Sequence, residues 1–211
     1  MGDLAVDTSA VLALLAAVPR AGQRVILAIA GPPGAGKSTL ASAVVRALDA
    51  VQPGQAALLP MDGFHLENEE LDARGLRAVK GAPQTFDAQG YLDLIARVRA
   101  DDGPLEYPLF DRAADCSRPG AGRLEARTRI VVTEGNYLLC SAAPWEKLRD
   151  QFDARVLLSP PLEELERRLT QRWLDHGLSR ESARARALGN DIPNARFVLG
   201  HSAGADLVLS L

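Results

Sequence analysis

With 211 residues, 47% of them apolar and 24% charged, the chain is long enough for one well-filled core with an inserted lid, and too short for two full domains. A net charge of −3 excludes a general electrostatic pull toward nucleic acid or anionic membrane. Two cysteines, Cys116 and Cys140, lack metal-ligand spacing and exclude a disulfide framework, which points to a reducing cytoplasm.

The first predicted element is a helix over 4–18, where Val11, Leu14, Leu15 and Val18 recur at helical spacing. Asp3 and Asp7 replace the basic flank of a secretion signal, and Val6 stands where myristoylation of a Met1-Gly2 start wants Ser or Thr. No apolar run approaches a membrane span. The apolar run 25–30 reads as a buried parallel strand, and 38–49 reads as a helix. Between them stands Gly31-Pro-Pro-Gly-Ala-Gly-Lys-Ser38. GxxxxGKS between strand and helix is a phosphate cradle, because small residues let successive backbone N–H groups face phosphate oxygens and the helix adds its positive end. Gly31, Gly34, Ala35, Gly36 and Thr39 therefore belong to the candidate nucleotide site. Lys37 brings a mobile charge to the β and γ phosphates, and Ser38 offers a hydroxyl to Mg²⁺. Only three of the 24 basic residues are lysines, which singles Lys37 out further.

A second strand over 56–60 delivers Met61-Asp-Gly-Phe-His65 to its carboxyl end, where open α/β sheets carry their chemistry. Asp62 can take a proton from an acceptor hydroxyl or bind Mg²⁺ through water; an ordinary Asp-Gly turn is the other reading. A helix over 88–100 follows. The stretch 103–122, rich in Pro, Gly and Arg, has the least regular pattern and reads as a loop over the substrate. A strand over 129–133 ends at Glu134, where an acid can complete an Mg²⁺ shell, or stand as a solvated strand-end carboxylate. A helix over 144–149 and a strand over 154–158 come next. In the helix over 162–176, Leu162, Leu165, Leu169 and Trp173 form a core stripe. Arg168 and Arg172 flank it four residues apart, placed to neutralise phosphoryl charge or to pair with Glu163, Glu164 and Glu166. A helix over 180–188, a turn at 190–194 and a last strand over 206–209 complete the chain.

These segments together resemble a family: the uridine kinase, pantothenate kinase and phosphoribulokinase group of P-loop kinases. The likeness rests on GPPGAGKST, on the MDGFH segment, on Lys80-Gly-Ala-Pro-Gln-Thr-Phe-Asp87 and on Val131-Val-Thr-Glu-Gly135, and it spans nearly the whole chain. It is most similar to the bacterial nucleoside/nucleotide kinase-like branch, some members of which bear the name of a fructose transport system kinase. The resemblance implies a P-loop NTPase three-layer α/β sandwich with a mostly five-stranded parallel sheet and a small helical lid. It also implies ATP and Mg²⁺ as cofactors, Asp62 as the catalytic aspartate and Glu134 as the second acidic residue, and places Asn190 and Asn194 near the adenine. The lid departs from the uridine kinase pattern RRxxRD, reading RRLTQRW, and together with the likeness to that branch this favours a sugar-type polyol over a nucleoside, with nucleoside and pantothenate left open.

The expectation is one kinase domain over 1–211, with lid and substrate loops within about 63–122 and 162–195. Lys37, Asp62, Arg168 and Arg172 are expected to carry phosphoryl transfer, and Ser38 with Glu134 to hold Mg²⁺. Phe64, His65, Tyr107, Arg112, Arg118 and Glu134 are expected to meet the acceptor, a small molecule. Neither nucleic acid nor membrane is an expected partner, and self-association as a homodimer stays open. An ATP-binding regulatory or transport-associated module without metabolite kinase activity is the alternative.

Overall fold

A computed structural model describes residues 4–19, 24–100 and 103–210. Met1, Gly2 and Asp3, on which the expectations about a leader and an acyl anchor partly rest, lie outside the described residues. Five strands, β1 (Val25–Ala30), β2 (Ala56–Pro60), β5 (Ile130–Gly135), β6 (Ala154–Leu158) and β7 (Leu207–Leu209), form an all-parallel sheet in the order β2-β5-β1-β6-β7. β1 is buried on both faces, as a central parallel strand must be. Its Ile26, Ala28 and Ala30 enter one core, and Val25, Leu27 and Ile29 enter the other.

The first core is closed by α4 (Ala88–Ala100) and a 3₁₀ helix (Trp145–Gln151), with Tyr91, Ile95, Trp145 and Leu148 inward. The second is closed by α1 (Leu4–Ala16), α2 (Lys37–Val51) and α5 (Leu162–Asp175), through Val11, Leu15, Leu40, Val44, Leu165 and Leu169. The result is the expected three-layer α/β sandwich of a P-loop NTPase. Burying one such aliphatic side chain contributes about 1.5–3 kcal/mol, so the two cores supply the rigidity on which the strand ends depend.

Four segments differ from expectation. The stretch 103–122 is a two-stranded antiparallel ribbon, β3 (Leu105–Asp111) and β4 (Cys116–Leu124), rather than an irregular loop. Its register shifts between Tyr107 and Leu109, around Pro108, which has no N–H to give a ladder. The 190–194 segment is helical: α6 (Arg180–Arg186) runs through a π turn (Ala187–Asp191) into α7 (Ile192–His201). Pro193 lies in the first turn of α7, where its missing N–H is no loss. A short helix α3 (Asn68–Ala73), preceded by a 3₁₀ turn (Met61–Phe64), fills a stretch that has no long apolar period. β5 also runs two residues further than the apolar pattern indicates, so Glu134 lies inside the strand.

Candidate active site

The strand order brings the candidate acids and the phosphate loop together. β5 lies between β2 and β1, and Glu134 is in register with Pro60 on one side and Ile29 on the other. The glycine-rich loop leaves β1 at Gly31, and Asp62 follows β2, so both flank Glu134 at the carboxyl edge. Thr133 Oγ1 donates to the Leu59 carbonyl at 2.7 Å, which leaves the Tyr91 hydroxyl to donate to Thr133 Oγ1 at 2.5 Å. That buried relay ties the ends of β2 and β5 to α4.

In the loop, Gly34 and Gly36 have positive φ, at 78° and 92°. Gly36 is the N-cap of α2 and no side chain caps that end, so the amides of the first turn remain for a ligand. Gly31 serves packing: a Cβ there would stand 2.8 Å from the Leu158 carbonyl oxygen. Ala35 is fully buried in the second core. Lys37 Nζ donates to the Pro32 carbonyl at 3.0 Å and to Asn136 Oδ1 at 2.7 Å. Ser38 Oγ donates to Glu134 Oε1 at 2.9 Å. Burial pushes the Glu134 carboxyl above the ordinary range, opposed by the Lys37 charge, and the same burial pushes Lys37 below its ordinary value. A buried carboxylate bonded to a hydroxyl is an oxygen donor set suited to Mg²⁺, and the lysine with free helix amides suits polyphosphate.

Two adjoining cavities share Asp62, His65 and Arg112. One, about 410 Å³, holds the loop from Gly34 to Thr39 with Glu134, Asn136 and Arg172 on its walls. The other, about 510 Å³, opens between the ribbon and the lid and includes Lys80, Phe110, Trp173, Asn190 and Asp191. Arg112 projects from the ribbon, and its Nη2 donates to Asp62 Oδ2 at 2.8 Å. His65 lies between Phe86 and Phe110, tilted by 40° and 38° to their rings at centroid distances of 4.1 and 4.6 Å, and its Nδ1 bonds to the Asp62 carbonyl at 2.7 Å. Burial holds the imidazole below the ordinary histidine value, against the upward pull of Asp62.

Some expected contacts fall elsewhere. Phe64 and Tyr107 lie in the first core rather than on a cavity wall: Phe64 packs edge-on against Tyr91, and the Tyr107 hydroxyl donates to the Leu58 carbonyl. The first core claims both rings, Phe64 from the 3₁₀ turn and Tyr107 from β3. Arg118 is exposed, paired with Asp111 on the ribbon and outside both cavities. Arg168 donates to Glu164 at 2.6 Å and reaches the Gly34 carbonyl at 3.4 Å, touching the loop from behind, whereas Arg172 lines the loop cavity. Asn190 stands in the second cavity, its amide donating to the Lys80 carbonyl at 3.0 Å. Asn194 is buried behind it, donating to Asn190 Oδ1. Trp173 packs against the second core and also forms a cavity wall, with Nε1 donating to Asp191 Oδ2 at 2.6 Å.

Sequence reasoning missed Asn136 and Asp191. Asn136 carries a signal, two residues beyond Glu134, but the lysine it holds is 99 residues distant in sequence. Asp191 lies in what reads as a turn. Among the described residues no helix is long and apolar enough to cross a membrane, and both cysteines are free thiols.

No family model matches the chain. It is 35% identical to protein YggC of Escherichia coli K12 over 90% of this chain and 78% of that one. It is 34% identical to the "Putative uridine kinase" of Schizosaccharomyces pombe, over 89% of this chain and 83% of that one. The crystal structure of a "putative fructose transport system kinase" from Silicibacter sp. TM1040 is 43% identical, covers 99% of both chains and superposes with a TM-score of 0.90.

Proposed function

The chain belongs to the uridine kinase-like P-loop kinases, ATP- and Mg²⁺-dependent phosphotransferases with an alcohol acceptor, and from that membership we propose that it phosphorylates a hydroxyl of a small polyol of the sugar type. The observation that carries the reading is the position of Asp62, the one carboxylate shared by the loop cavity and the cavity beside it. A group at that junction touches both the phosphate end of the nucleotide and the acceptor.

Bound ATP supplies the transferable phosphoryl group, and Mg²⁺ screens its charge. Lys37 and the amides of the α2 N-terminus would hold the phosphates, with Ser38 and Glu134 as metal ligands. Asp62 would take the proton from the acceptor hydroxyl, because Glu134 is already engaged by Ser38 and lies on the wall of the loop cavity alone. For this to happen Arg112 must release Asp62. Arg172, on a lid helix facing the loop, would neutralise charge on the transferring group, and Arg168 would brace the loop at Gly34. Closure of lid and ribbon over the site excludes water, the competing acceptor.

The sugar-type acceptor draws support from the name borne by the 43% identical protein and from the lid sequence. Charge and cysteine usage support a cytoplasmic setting. The test is Mg²⁺-dependent ADP release from ATP with sugars, polyols, sugar acids, uridine, cytidine and pantothenate offered separately. Release stimulated by a polyol-type compound supports the reading. Release that no acceptor stimulates overturns it in favour of a nucleotide-binding module. Uridine or pantothenate exceeding every sugar-type compound by more than about tenfold in kcat/KM, about 1.4 kcal/mol, overturns the acceptor class alone.

A further inference from the structure

The second cavity presents an uneven set of charges. Four cations, Arg77, Lys80, Arg112 and Arg186, face three carboxylates, Asp62, Asp115 and Asp191. Lys80 is fully engaged: its ammonium donates to Asn68 Oδ1 at 2.7 Å and to the carbonyl and carboxylate of Asp115, each at 2.9 Å. Arg77 shares Asp115 at 3.5 Å and reaches Asp72, outside the cavity, at 3.5 Å. Asp191 is taken by the Trp173 indole and by Arg172 at 3.5 Å. Two cations are left to account for. Arg112 has Asp62, which the proposed reaction needs free for the acceptor hydroxyl. Arg186 has no ion pair among the described residues; its guanidinium lies over the Trp173 ring, 5.3 Å from the centroid.

The aromatic walls, by contrast, are already partnered within the protein. His65 is sandwiched by two phenylalanines, Phe110 carries Lys80 at 5.0 Å, and Trp173 lies under both Arg172 and Arg186. A flat base would have to displace a cation to stack here, whereas an anion would meet Arg186, which has no ion pair among the described residues, and Arg112 once Asp62 has turned to the acceptor hydroxyl.

We propose that the acceptor is an anion-bearing polyol, a hydroxy acid or a sugar phosphate, whose negative group is bound by Arg186 and by the Arg112 that the acceptor hydroxyl displaces from Asp62. This rests on the kinase reading and narrows its acceptor class. A guanidinium binds carboxylate and phosphate through the same paired N–H donors, so the shared chemistry is the oxyanion. A neutral polyol would leave both guanidinium groups facing the cavity without a counter-charge.

The experiment is equilibrium binding by calorimetry to the full chain saturated with Mg²⁺ and a non-hydrolysable ATP analogue. Three matched pairs are titrated: glycerate against glycerol, gluconate against sorbitol, and fructose 6-phosphate against fructose. At least one anion is expected to bind tenfold or more tightly than its neutral counterpart, and the pair concerned separates carboxylate from phosphate. Arg186→Gln should erase that preference and Arg186→Lys should restore part of it. If no anion outbinds its counterpart, or if Arg186→Gln leaves the preference intact, the proposal is overturned. ADP release with ATP is then measured for the same compounds, and it distinguishes the two failures. An anion that binds while none of the compounds, charged or neutral, stimulates ADP release overturns the kinase reading and leaves the anion site standing. Fructose turned over with a higher kcat/KM than every anion leaves the kinase and overturns the anion site.

Discussion

In the proposed reaction Asp62 must exchange one partner for another. Its carboxylate is held by Arg112 at 2.8 Å, on a guanidinium that is itself 68% exposed and therefore weakly bound in energetic terms. An exposed pair of this kind can open when an acceptor arrives. Asp62→Asn keeps the shape of the side chain and cannot take a proton, so nucleotide affinity should persist while turnover falls by about a hundredfold or more. Nucleotide titration beside steady-state kcat checks this; lost ATP affinity with normal turnover of the bound complex would make Asp62 a binding residue. His65, next to it, is a stability residue with a pH signature. Burial lowers its pKa in the folded chain, so the unfolded chain binds the proton first, near pH 6.5. The native state is therefore favoured above that pH, and the contribution is lost as pH falls through the lower folded value. His65→Phe keeps a ring between Phe86 and Phe110 and removes the titration. Below pH 6.5 the melting temperature of the wild type should fall more steeply than that of the variant, and parallel curves would refute the assignment.

Among the elements, the ribbon joins the first core through Leu105, Tyr107 and Leu124. It meets the 3₁₀ turn that carries Asp62 at Gly63, where a Cβ would run into the Pro108 carbonyl, and Ser117 Oγ donates to the Gly63 carbonyl. Glycine is required there for close backbone approach, not for a positive φ. At the ribbon's tip Asp115, with φ 51°, gathers Lys80, Asn68 and Arg77 and pins the turn beside α3. The two contacts together hold Arg112 and Phe110 over the second cavity. Gly63→Ala must push apart the element bearing Asp62 and the element bearing Arg112. Overpacking of this kind costs about 1–3 kcal/mol. Urea unfolding should show that loss, and kcat/KM should fall with it; wild-type stability in the variant would mean that the ribbon yields without cost.

At the scale of the molecule, burial disfavours the charged forms of Lys37 and Glu134 before any ligand is bound, and the attraction between the two charges offsets this only in part. Phosphates and a divalent cation supply the counter-charges this site lacks, so ligand binding should stabilise the fold as well as prepare the reaction. A ligand at a hundred times its Kd adds about 2.7 kcal/mol, and each kcal/mol moves the melting temperature of a chain this size by about 2–4 °C. Mg²⁺ with a non-hydrolysable ATP analogue should therefore raise the melting temperature by about 5–10 °C. Lys37→Ala should abolish phosphoryl transfer and most of that shift while the far-UV circular dichroism stays native. Full activity, or an unchanged shift, would remove Lys37 from the phosphate site.

The sequence by itself determined the parts whose cause is local. The apolar runs of β1, β2 and β6, the glycine-rich loop ahead of α2 and the stripe of Leu165 and Leu169 follow from periods and spacings of a few residues, and each lies in the structure within a residue or two of where those patterns put it. Asp62 and Glu134 were legible for the same reason: a carboxylate at the end of an apolar strand marks itself. What only the tertiary structure decided are the pairings that join distant segments. That Glu134 stands between Asp62 and the loop depends on β5 inserting between β2 and β1, a choice of strand order that no single strand's composition encodes. That Tyr107 faces the core while Arg112 reaches Asp62 depends on the twist and register of a ribbon whose glycines, prolines and arginines carry no clear alternation. The partnerships of Asn136 with Lys37 and of Asp191 with Trp173 arise because side-chain contacts are fixed by the packing of whole elements, after local propensity has been spent.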